Sequence, residues 1–207
     1  MGDFAKPVVV SPAQFDGLDS GFDPAERTAA GNRLAHILVR GTDVSADHER
    51  VERALTLADD EGLCSIAELW STALPDTLAG ALWRLYVLRT WIHNEPTRAS
   101  REFTAGKNSA PVEEVLAGVQ EPPGPHEVAE LADSVIRGAI RSDLDVALDR
   151  AAAFAHVAAV GRVHLVDDDS VHDLDDAREA TASATRLMET AKQLRHAAKL
   201  ERRGHLA

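Results

Sequence analysis

Apolar residues recur every three or four positions through most of the chain, and the breaks between these stretches fall at residues that start and stop helices. Asp23 ahead of Pro24 reads as an N-cap followed by proline at the first helical position, and Gly41 as a C′ residue. Between them Ala30, Leu34, Ile37 and Leu38 form one stripe. Ser45 to Gly62 predicts a second helix, with Val51, Ala54, Leu55 and Ala58 inward, as the antiparallel neighbour of the first. Ser65 opens a shorter helix carrying Ile66, Leu69 and Trp70, which ends before Pro75. The most apolar element runs from an Asp76 cap to about Glu95. Leu78, Ala81, Leu82, Leu85, Leu88 and Ile92 lie on its main stripe, with Trp83, Val87 and Trp91 on the opposite side. A helix apolar all round is a central one, and this element is expected to be the spine of the fold.

Beyond Pro96 the pattern predicts a short helix over 96–103 and another over 111–119, separated by a turn at Gly106, Lys107 and Asn108. Pro122, Pro123 and Pro125 then make a stiff connector. Residues 125–140 place Val128, Leu131, Ala132, Val135 and Ile136 on one face; residues 144–160 answer with Leu144, Ala147, Leu148, Ala151, Phe154 and Ala158, and Gly161 reads as a stop. The final helix repeats Ala177, Ala184, Ala191 and Ala198 every seven residues, with Ala180, Leu187 and Leu194 between. Small residues in that register favour close packing on a neighbouring helix.

The fold class expected is all-α: a bundle of about seven to nine helices with a long C-terminal helix. An extended lead-in covers 1–22, the bundle 23–162 and an acidic linker 163–173. The helix over 174–207 either packs on the bundle or supplies the seam of a homodimer. Composition supports the class, because β-branched runs are scarce apart from residues 8–10, and aromatic residues make up only 4%.

The net charge of -12 makes nucleic acid an unlikely partner, since such binders show a basic footprint. Cys64 is the only cysteine, which excludes an intrachain disulfide and a cysteine-cluster metal site. No run of ~18 apolar residues suggests a membrane span, and the first ten residues lack the apolar core of a signal peptide, so no membrane contact and a cytoplasmic location are expected.

Candidate chemistry is sparse. His164, Asp167, Asp168, Asp169, His172, Asp173, Asp175 and Asp176 form the densest polar cluster, but their spacing is not that of a calcium loop, and carboxylates before a helix are ordinary solvated residues. Phosphate-loop, zinc-protease, nucleophile-elbow and dinucleotide-binding patterns are missing from the sequence. No catalytic residue, metal ligand or cofactor is therefore assigned. Residues 65–85 loosely suggest a helix-turn-helix, yet Trp70 stands where a small residue is needed and Leu74 where glycine is preferred. The more informative feature is Arg89 on an apolar stripe. A guanidinium there must pair with a carboxylate, snorkel to water or hold an anion. With Trp83, Arg84, Tyr86, Trp91 and His93 it forms a candidate ligand or partner surface.

The run from Ala73 through Pro75, Gly80, Trp83, Arg84, Tyr86, Arg89 and Trp91 to Ile92 resembles a family of uncharacterised helical proteins of high-GC actinobacteria. The prolines at 122, 123 and 125 and the run from Asp149 and Arg150 to Phe154 are similar to later parts of the same proteins. The resemblance implies one helical unit and an actinobacterial origin; it implies no activity. The function expected is a non-enzymatic helical protein-interaction or regulatory protein with an unidentified protein partner. The alternatives are a small-molecule or anion-binding helical enzyme centred on Arg84, Arg89 and His93, and a DNA-binding regulator with a degenerate helix-turn-helix.

Overall fold

A computed structural model of the chain describes residues 24–41, 67–109, 123–136, 143–168 and 174–207. Among these residues the protein is all-helical, with six α-helices and no strand. They are α1 (Pro24–Arg40), α2 (Leu78–Asn94), α3 (Pro96–Ser109), α4 (Pro125–Ile136), α5 (Leu144–Asp168) and α6 (Leu174–Arg202). The sequence predicts seven to nine. The helices expected over 45–62 and 111–119, and the lead-in over 1–22, lie outside the described residues. The start of the helix opened by Ser65 also lies outside them; residues 67–68 are helical and 69–72 form a turn.

Local signals place most helix ends. Gly41 has φ of 75° and its amide donates to the Ile37 carbonyl, so it closes α1 as a left-handed residue that glycine takes without a Cβ clash. Thr77, one residue beyond the expected cap, begins α2: its hydroxyl oxygen accepts from the Gly80 amide at 3.1 Å. The Leu78 amide, orphaned at the helix start, donates to the Ala207 carbonyl at 2.7 Å, because the chain after α6 folds back and buries Leu206. Arg40 secures that return by pairing with Glu201 and donating to the Leu206 carbonyl.

Two glycines correct the sequence reading. Gly106 and Gly161 do not end helices; α3 runs on to Ser109 and α5 to Asp168, so residues 163–168 of the expected linker are helical. The two helices cross at these glycines so closely that a Cβ on Gly106 would strike the Val157 carbonyl, and one on Gly161 the Glu102 carbonyl. Glycine is needed there for backbone approach, which outweighs its poor helix propensity of about 1 kcal/mol relative to alanine.

The buried apolar side chains form one cluster running from Ala35 in α1 to Leu206 after α6. Helix α2 meets every other described helix. Its two sides differ, however: Leu78, Leu82, Leu85 and Leu88 are buried, whereas Val87 is 41% exposed and Trp83 and Trp91 are half-buried. Helix α5 carries an unbroken buried run, Ala151 to Ala155, against α3, α4 and α6. Helix α6 lies along α5 with Ala184, Leu187, Ala191, Leu194 and Ala198 turned into the chain's own core. Arg202 fixes its end by pairing with Asp145 at 3.0 Å and with Asp149. No described helix is long and apolar enough to cross a membrane.

Candidate functional site: a cationic cleft between α2 and α6

The six residues expected to form a ligand or partner surface point to several sides of α2. Arg89, only 8% exposed, pairs with Asp133 of α4 at 2.5 Å, and exposed His93 stands 3.7 Å from the same carboxylate. This is the ion-pair alternative for a guanidinium on an apolar stripe. Arg84 reaches the other way, donating to Gln193 of α6 at 2.5 Å and to the Gly80 carbonyl at 2.7 Å; burial pushes its pKa down, with the Glu189 charge opposing. Trp83 stacks on Tyr86 at 5.8 Å, and Tyr86 is buried. Trp91 lines a cavity together with charged groups from other helices. The helix following Pro75 is thus a core helix whose arginines are engaged within the fold, whereas a recognition helix must lie free to enter a groove.

That cavity is a cleft of about 390 Å³ between α2 and α6, lined also by the start of α3 and floored by Arg162 of α5. Val87, Leu88 and Trp91 supply one wall and Leu187 part of the other. Arg162, from the turn of α5 just past the glycine crossing, is 8% exposed at the bottom. Arg98 and Glu95 come from the start of α3, and Ser183, Arg186 and Thr190 from α6.

The floor is an ordered ionic network. Glu102, 4% exposed, accepts from Arg162 through Nε at 2.9 Å and Nη2 at 2.7 Å, and from Arg98 Nε at 2.8 Å. Arg98 also reaches Glu95 at 2.9 Å. The Glu102 hydrogen bond holds the Arg98 pKa above its ordinary value against the opposing cost of burial. Arg162 additionally lies 4.9 Å over the Trp91 ring and donates to Ser183 Oγ at 2.7 Å. The serine oxygen is used as an acceptor, so its proton is left to point elsewhere. Trp91 packs against Phe154, and Phe154 against Phe103, so the indole is held from behind by the core. Its Nε1 is buried without an acceptor among the described residues.

Arg98, Arg162 and Arg186 oppose Glu95 and Glu102, leaving one positive charge on a chain whose net charge is -12. Guanidinium groups stay protonated in proteins, so the cleft offers fixed cations and hydroxyls for recognition.

Sequence reasoning found Trp91 but not Arg98, Arg162, Ser183 or Arg186. They come from three helices and are far apart in the chain, and none interrupts a pattern. One signal was present: Val87 and Trp91 make α2 more apolar than its buried stripe requires.

A second groove of about 460 Å³ runs between α5 and α6, mostly apolar, with His164 and Lys192 in its lining, and reaches Ser109, where the described residues stop. Of the acidic cluster, only the His164 side chain lies among the described ones, those from 167 to 176 falling outside them; among the described residues no group of three or more potential ligands is placed to hold a metal.

No family model, curated protein or solved structure matches the chain.

Proposed function

We propose that this chain is a non-enzymatic helical binding protein, of the interaction or regulatory kind, whose recognition site is the cleft between α2 and α6. One observation carries the reading: Arg162 and Trp91, held from behind by Glu102 and Phe154, sit in a concavity that also gathers Arg98, Ser183 and Arg186 from separate helices. Preorganised polar groups in a partly apolar concavity are what small-ligand sites require, and 390 Å³ is at the small end of their usual range of about 300 to 1,000 Å³. The charged lining favours binding over proton transfer, because arginine does not exchange its proton near neutral pH.

Native mass spectrometry after incubation with the low-molecular-mass fraction of a cell extract tests the reading. The wild-type chain should hold a small molecule that Val87→Trp, which fills the cleft from its rim, excludes. A wild-type chain that retains nothing, or an adduct equally abundant on the variant, would contradict it.

A further inference from the structure

The lining of the cleft narrows the chemistry of what it takes. Arg162 is spent on Glu102, Ser183 and the Trp91 face, and Arg98 on Glu102 and Glu95. Arg186, exposed on α6, meets no carboxylate among the described residues and faces the same cavity. The surplus of one positive charge is therefore concentrated at Arg186, one turn from Ser183 on the same helix. Across from them the α2 wall is apolar, with Val87 and Leu88, and Leu187 beside Arg186 on α6 adds hydrocarbon to the lining. Charge at one side and hydrocarbon at the other describe an amphiphilic ligand rather than an inorganic ion.

We infer that the cleft binds a small organic monoanion, a carboxylate on a short apolar body. The carboxylate lies against the Arg186 guanidinium and the Ser183 hydroxyl, and the body covers Val87, Leu88 and Leu187. A dianion would leave an excess negative charge beside the Glu102 and Glu95 carboxylates, and a neutral molecule would leave Arg186 unused. Arginine meets carboxylates through paired, charge-assisted hydrogen bonds, which gives the site a preference by geometry as well as charge. This inference rests on the cleft being the recognition site.

Isothermal titration calorimetry with hexanoate, hexanol and hexylamine separates the two claims. Hexanoate should bind about tenfold or more tightly than hexanol, as one charge-assisted hydrogen bond implies, and hexylamine should not bind. Arg186→Gln, an exposed substitution whose folding is checked by circular dichroism, should remove the advantage of hexanoate and leave hexanol unchanged. Val87→Trp should abolish binding of both. Equal binding of hexanoate and hexanol, with no effect of Arg186→Gln, would overturn the monoanion while leaving the cleft as the site. Hexanoate binding that survives Val87→Trp would overturn both. Absence of hexanoate binding at millimolar concentration would overturn the monoanion, and the native mass measurement then judges the cleft alone.

Discussion

Gly161 stands against Gly106 where α5 crosses α3, so close that a β-carbon on Gly161 would lie 2.5 Å from the Gly106 amide nitrogen. This contact sets the depth of the cleft floor, because Glu102 and Arg162 each sit beside one of the two glycines and meet just beyond the crossing.

Alanine at either glycine should be destabilising, since the new methyl group meets backbone that cannot swing aside. Gly106→Ala and Gly161→Ala are each expected to cost about 1 to 3 kcal/mol or more in urea denaturation. Gly124→Ala is the control: nothing lies within 4 Å of its added carbon, and the change should stay within about 0.5 kcal/mol. Equal stability of all three variants would contradict the close crossing.

These glycines also show where the sequence misleads. Helical periodicity, Pro24, Gly41 and the apolar stripes of α2, α4 and α5 are readable, because capping and burial act locally and leave a pattern within one turn or two; in α1 the buried apolar side chains are Ala35, Leu38 and Val39, of which the expected stripe held only Leu38. Gly106 and Gly161 carry the same local signal as a helix stop, and only the neighbouring backbone decides between the two readings. Arg89 was flagged as a guanidinium needing a partner, but its partner Asp133 lies in a different helix with no feature of its own to mark it. The cleft was hidden for the same reason. Its polar residues are unremarkable along the chain and meaningful only where α2, α3, α5 and α6 bring them together.

The buried pair beneath the cleft should be costly to break and cheap to replace. Glu102→Gln leaves Arg162 buried beside a neutral amide and should lower stability by about 3 to 5 kcal/mol. Replacing both, Glu102→Leu with Arg162→Met, should recover most of that loss, because no uncompensated charge remains. Chemical denaturation of the three proteins decides it; a double variant as unstable as Glu102→Gln would contradict the assignment.

Trp70, rather than Trp83, is the tryptophan on which the α1 side of the core depends. It is fully buried and its indole N–H donates to the Gly31 carbonyl at 3.0 Å, whereas Trp83 is only partly buried. Trp70→Ala should cost about 3 to 5 kcal/mol, near the top of the range for core truncations, and Trp83→Ala distinctly less. Thermal denaturation giving the reverse order would contradict this packing.

His156, half-buried on α5, has its pKa lowered, first by burial and then by the Arg195 charge. The unfolded chain therefore takes up the proton first as pH falls. The neutral imidazole's contribution is intact above the unfolded value of about 6.5 and is lost as pH drops from there through the lower folded value. His156→Leu should flatten this part of the stability profile. From pH 7.5 down to 5 the melting temperature of His156→Leu should rise relative to that of the wild type; parallel profiles would contradict the burial of the ring.

The most direct test of the cleft is fluorine NMR of the chain labelled with 5-fluorotryptophan, whose three tryptophans report separate places. Trp91 lines the cleft, Trp70 is enclosed against α1 and Trp83 stacks on Tyr86 away from it. Addition of hexanoate should move the Trp91 resonance and leave the other two in place. A stationary Trp91 resonance at hexanoate concentrations that calorimetry shows to saturate the chain, or a shift at Trp70 or Trp83 instead, would contradict recognition between α2 and α6.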